Sequence, residues 1–119
     1  MRDYLRATDF DSATTLELFR LASAVKARAK KREYLNLMEG MSGILLFQKP
    51  SLRTRVTFEL ALHQLGAYAM YLSPAEVGMG KRESVYDVAK NVERWVDVVI
   101  ARVFAQKDIE DLAAATAPP

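Results

Sequence analysis

Phe47-Gln48-Lys49-Pro50-Ser51-Leu52-Arg53-Thr54-Arg55-Val56-Thr57-Phe58-Glu59 is the stretch whose reading decides the fold. The apolar run leading into it, Gly43-Ile44-Leu45-Leu46-Phe47, is short and lies between a Gly and a Pro, which predicts a buried strand. Beyond Arg55, Phe58, Ala61, Leu62 and Leu65 recur at helical spacing until Gly66 ends the pattern. Strand, tight turn and helix therefore follow one another, with Ser51 at the N-cap position. The first turn of such a helix presents unpaired backbone N–H groups and the positive end of the helix dipole, so it attracts an anion.

This turn adds two hydroxyls, Ser51 and Thr54, and two guanidiniums, Arg53 and Arg55. The arginines are two positions apart and so point to different sides of the turn. One can hold an anion while the other faces the protein. Charge-assisted hydrogen bonds contribute roughly 1.5–3 kcal/mol each. Two or three of them would hold a small phosphate ester at about millimolar to micromolar affinity. A plain capped helix with exposed arginines is the competing reading. It is disfavoured because cations at the positive end of a dipole destabilise the helix unless an anion offsets them.

Lys49-Pro50-Ser51-Leu52-Arg53-Thr54-Arg55, followed by Phe58-Glu59, resembles the carbamoyl-phosphate loop of the aspartate/ornithine carbamoyltransferase family. The usual family string is Ser-Thr-Arg-Thr-Arg, and Leu52 departs from it by losing a hydroxyl while keeping its N–H. The resemblance implies that Ser51, Arg53, Thr54 and the N–H of Leu52 hold the phosphate. It further implies that Thr54 and Arg102 address the carbonyl oxygen as the catalytic pair, with Arg55 structural and paired to Glu59.

Working outward, residues 1–13 read as an irregular lead-in, with Asp9, Asp11 and Ser12 as candidate caps. The Arg2–Leu5 segment is similar to a family lead-in. Thr14 to about Arg32 has the pattern of an amphipathic helix with Leu18, Leu21, Ala22 and Val25 on one face. Its basic end (Lys26, Arg28, Lys30, Lys31, Arg32) reads as a solvated C-terminus suited to the dipole. Ala67–Leu72 predicts a second strand, broken by Ser73-Pro74.

The segment Ala75–Glu83 reads as a loop. Gly78-x-Gly80 lacks the third glycine of a dinucleotide fingerprint, and Gly80-Lys81 lacks the rest of a P-loop. Related transcarbamylases have here a loop that enters the adjacent subunit's site. Glu76 stands about where many ornithine enzymes have Gln, and either Lys81 or Arg82 is a candidate cation across that interface.

Ser84 to about Val96 predicts a helix with Val85, Val88, Ala89, Val92 and Val96 inward and Trp95 in packing. Val98–Ala101 reads as a third strand, buried on both faces as in a parallel sheet. Arg102 follows at its carboxyl end, the edge where open α/β sheets bind ligands. Ala101-Arg102-Val103-Phe104 resembles the ornithine-type segment, whereas aspartate-type enzymes usually have Arg-His there. Asp108 to about Thr116 predicts a last helix with Ile109, Leu112 and Ala113 inward, before Ala117-Pro118-Pro119. His63 reads as a helix-surface or packing residue.

Together these elements predict a three-layer α/β sandwich with a short parallel sheet. In 119 residues there are 17 basic and 15 acidic side chains, a balance that disfavours nucleic-acid binding. Without cysteine there is neither a disulfide nor a thiolate metal site, as suits a cytoplasmic protein. No apolar run reaches membrane-spanning length.

The resemblance implies an enzyme that needs no metal or redox cofactor and takes carbamoyl phosphate and ornithine as partners. It also implies a homotrimer, or a multiple of trimers, for the full-length protein. The family's chain is far longer, with a His-Pro-x-Gln segment and an amino-acid-binding domain. Residues 1–119 are therefore expected to be a carbamoyl-phosphate-binding domain, incomplete at its C-terminal end and inactive alone. An aspartate- or acetylornithine-type fragment, or a non-catalytic phosphate-binding or assembly module, is the alternative.

Overall fold

The computed structural model describes residues 3–116. Arg2 of the lead-in and the terminal 117–119 lie outside the described residues. The element order is α1 (Ser12–Lys30), β1 (Ser42–Phe47), α2 (Leu52–Gln64), β2 (Tyr68–Leu72), α3 (Pro74–Val77), α4 (Val85–Val92), β3 (Val98–Arg102) and α5 (Gln106–Ala115). The three strands form one parallel sheet in the order β2-β1-β3, with Leu46 opposite Leu72 on one side and Phe47 opposite Arg102 on the other.

Because strand side chains alternate, the sheet buries two separate faces. Ile44 and Leu46 pack with Val77, Met79, Val88, Ala89, Val92 and Leu112, so α3, α4 and α5 cover that face. Leu45 and Phe47 pack with Leu62 and Ala67 under α2 on the other. The result is the expected three-layer α/β arrangement. Gly43 sets the spacing on the α2 side: a Cβ there would meet Leu62 Cδ1 at 2.8 Å.

Several expectations need correction. The lead-in contains a 3-10 turn at Ala7–Asp9, and α1 begins at Ser12 with Asp11 as its cap, accepting from the Thr14 N–H at 2.7 Å. No residue of α1 is buried: Leu18 and Leu21 are exposed and only Val25 of the expected face is half-covered. On α2 the buried residue is Leu62, while Phe58 and Ala61 are exposed. α4 stops at Val92, so Trp95 falls in the following turn and is 63% exposed, not packed. β3 is half-exposed along its length, because among the described residues it pairs with β1 alone and lies at the edge of the sheet they form. α5 starts at Gln106, two residues before the expected Asp108.

Candidate functional site

The strand order creates the site. β1 leads into α2 on one face of the sheet, whereas β3 leads toward α5 on the other. The two chain segments diverge as they leave adjacent strands, and such a switch point opens a crevice at the carboxyl ends. Gln48–Ser51 forms one lip of that crevice and Arg102–Phe104 the other.

Ser51 occupies the N-cap position of α2 in extended backbone, yet its hydroxyl makes no capping hydrogen bond. The first-turn N–H groups thus keep their pull on an anion instead of meeting the serine. Leu52 is 76% exposed, an apolar side chain in the place where the family string has Thr. Arg53 is exposed and takes part in no hydrogen bond or ion pair among the described residues. The half-buried Thr54 hydroxyl is likewise without a protein partner.

Arg55 behaves differently. Its Nε lies 3.4 Å from Glu59 Oε2, and its guanidinium carbon sits 3.9 Å from the centre of the Tyr71 ring on β2. Ion pair and stacking together turn Arg55 toward the protein.

Arg102 is the last residue of β3, beside Phe47. Alternation puts it on the same face as Ile100, which packs with Leu45 and Phe47, and hence on the α2 side. Its Nε is buried and has no hydrogen-bond partner, the one such side-chain atom among the described residues. A buried donor of this kind is costly until an acceptor arrives. Arg102 thus brings an unsatisfied buried donor to the α2 face of the sheet, at the carboxyl end of β3.

The Ser73–Glu83 segment is internally tied. Ser73 and Glu76 cap each other across α3, with Glu76 Oε2 accepting from the Ser73 N–H at 2.7 Å. That backbone hydrogen bond, then the Ser73 hydroxyl and more weakly the Arg55 charge, hold the Glu76 carboxyl below the usual glutamate range. Arg82 donates to the Glu76 carbonyl. Lys81 is exposed without a partner among the described residues.

Gln48 carries no sign of a structural role in the sequence alone. Its amide joins this loop to the far lip of the crevice, through partners 31 and 56 residues away. His63 is exposed on α2. A concavity of about 800 Å³ is lined by Val96, Val99, Ala101, Ile109 and Leu112 among others and contains no residue of the turn. No group of three His, Asp or Glu side chains gathers among the described residues, and no helix there is long and apolar enough to cross a membrane.

Residues 2–119 match the family model described as aspartate/ornithine carbamoyltransferase, carbamoyl-P binding domain. An ornithine carbamoyltransferase of Campylobacter fetus is 38% identical over 119 residues, covering 100% of this chain and 38% of its own length. The structure of ornithine carbamoyltransferase from Pyrococcus furiosus superposes with a TM-score of 0.91 at 36% identity, over 97% of this chain and 37% of that one. Aspartate transcarbamoylase from Trypanosoma cruzi, solved in complex with phosphate, gives 0.87 at 27% identity, over 99% of this chain and 37% of that one. The chain thus spans about a third of the length of the relatives it matches.

Proposed function

This chain belongs to the aspartate/ornithine carbamoyltransferase family, in its carbamoyl-P binding domain, and from that premise we propose that the 51–54 turn and Arg102 bind carbamoyl phosphate for transfer to ornithine. Ser51, Arg53, Thr54 and the N–H of Leu52 hold the phosphate. Thr54 and Arg102 take the carbonyl oxygen and are the catalytic residues. The observation that carries the reading is the buried, unpartnered Nε of Arg102 at the crevice edge. The structurally similar aspartate transcarbamoylase from Trypanosoma cruzi has been solved in complex with phosphate, which supports a phosphate-bearing ligand for a fold of this kind.

In the reaction the ornithine side-chain amine attacks the carbonyl carbon. A C–N bond forms, charge collects on the carbonyl oxygen, and the bond to the phosphate oxygen breaks as the amine loses a proton. Preorganised donors lower this barrier because they meet charge only as it develops. Arg55, held by Glu59 and Tyr71, is structural. Ornithine is favoured over aspartate as the acceptor because the curated relatives matched at 37–44% identity are ornithine carbamoyltransferases.

The amino acid is held by a second domain outside residues 1–119, and the working assembly is a cytoplasmic homotrimer or a multiple of it. Glu76 and Arg82 are engaged within their own loop. Lys81 is accordingly the cation of this loop that reaches an adjacent subunit.

Calorimetric titration of this chain with carbamoyl phosphate tests the proposal. Binding at millimolar or better affinity is expected, and Arg102→Ala should weaken it by about 10- to 100-fold, the value of a charge-assisted hydrogen bond. Unchanged affinity in that variant would remove Arg102 from the site.

A further inference from the structure

Gln48 leaves β1 at the point where the crevice opens, and it bonds to both the Arg102–Phe104 segment and the loop bearing Met79. Its backbone N–H donates to the Arg102 carbonyl at 2.8 Å, extending the β1–β3 ladder by one residue. Its Oε1 accepts from the Phe104 N–H at 2.8 Å, and its Nε2 donates to the Met79 carbonyl at 3.2 Å. The polarity of the partners leaves no freedom in the amide's orientation, since a backbone N–H only donates and a carbonyl only accepts. Met79 is buried, so the loop it carries is anchored at this point to the core beneath it. Gly80, next in the chain, has φ +80°, and a Cβ there would lie 3.6 Å from Gln48 Nε2.

We propose that Gln48 is a positioning residue for the carbonyl end of the carbamoyl-phosphate site: its amide ties the loop bearing Met79 and Lys81 to the segment Arg102–Phe104, and so aims the Arg102 guanidinium across the crevice. This rests on the reading of the site given above. The side chain has the one chemistry the place requires. A carboxylate cannot donate to Met79, an ammonium cannot accept from Phe104, and an apolar residue does neither. It lies outside the phosphate cradle, which the α2 N-terminus forms without it. The tether therefore acts on one end of the ligand and not on the other.

The test separates those two ends. Gln48→Leu is titrated with carbamoyl phosphate and with inorganic phosphate, and amide hydrogen exchange is followed at Phe104 and at residues 80–83. Exchange should rise at both places. Affinity for carbamoyl phosphate should fall about tenfold while that for phosphate changes less than about twofold. An equal loss for both anions with a lowered Tm would mean general destabilisation and overturn the positioning role, as would unaltered exchange at Phe104.

If Gln48→Leu does not fold, Gln48→Glu serves. It retains the acceptor and loses the donor, so exchange should rise at 80–83 and not at Phe104; the reverse pattern would overturn the tether. Should the unsubstituted chain bind no carbamoyl phosphate, the functional reading falls, and the exchange pattern alone still upholds or refutes the tether.

Discussion

Two helix N-termini close to each other on this sheet use the same residue type in opposite ways. At α3, Ser73 accepts from the Glu76 N–H at 3.3 Å and Glu76 returns a bond to Ser73, while Arg82 folds back onto the Glu76 carbonyl. At α2, Ser51 caps nothing and Arg53 meets no side chain among the described residues. The first terminus satisfies its own polar groups and is scaffold. The second leaves hydroxyl, guanidinium and backbone donors unmatched, although this costs stability in the free chain. The exposed Arg53 and the half-buried Ser51 and Thr54 hydroxyls are thus the groups that the proposed anion would engage. Arg55 and Arg102 repeat the contrast: one is paired and stacked, the other has a buried donor without an acceptor.

The sharpest way to break this comparison is to exchange the arginines for alanine. Arg53→Ala should weaken phosphate binding by about tenfold or more and leave Tm unchanged or slightly higher, since it removes a cation from the positive end of a dipole. Arg82→Ala should do the opposite: phosphate affinity stays within about twofold while exchange rises at residues 78–83. Calorimetry and hydrogen exchange on the two variants check both; equal effects on affinity would erase the distinction.

A smaller effect distinguishes the two serines. Ser73→Ala removes a working cap and should destabilise its segment by about 1 kcal/mol. Ser51→Ala removes no capping bond and should cost less than about half of that in the free chain, with the loss appearing instead as weaker phosphate binding. Exchange at Glu76 and phosphate titration measure the pair. A larger stability loss at Ser51 would mean that its hydroxyl already serves the helix.

The smallest expected effect is that of pH. The Glu76 carboxyl is lowered chiefly by the Ser73 backbone N–H. A depressed folded value means that its contribution is fully present above the unfolded glutamate pKa and is lost as pH falls through the lower, folded one. Protection of the Ser73 and Glu76 amides, with the intrinsic pH dependence of exchange divided out, should fall over that acidic window. Glu76→Gln should flatten the dependence; a slope that persists in the variant would place the titrating group elsewhere.

The strand, turn and helix around Ser51 are legible because everything that builds them lies within a dozen residues: an apolar run, a proline, a serine and a helical period. The Arg55–Glu59 pair was legible for the same reason, being one helical turn apart. What failed lay in longer-range relations. The valine period carries the helical pattern past Trp95 and so predicts packing for it, but α4 ends at Val92 and Trp95 is exposed. Val98–Ala101 was expected to be covered on both faces because it is continuously apolar, yet periodicity does not reveal which strand lies at an edge. The amphipathic pattern that puts Leu18, Leu21, Ala22 and Val25 on one face of α1 does not show what covers that face, and among the described residues none of the four is buried. Gln48 had no local signal, since an amide looks the same whether it points to water or joins segments 31 and 56 residues away.

The sequence by itself determined that residues 43–66 form strand, turn and helix, and that the turn concentrates positive charge, because hydrogen bonding and side-chain periodicity act over a few residues. Only the tertiary structure decided that β1 runs between β2 and β3. That order sends the chains leaving β1 and β3 to opposite faces and sets Arg102 opposite Phe47, where β1 ends. The reason is that strand order depends on how whole faces bury against one another, a property of the assembled layers that no short segment carries.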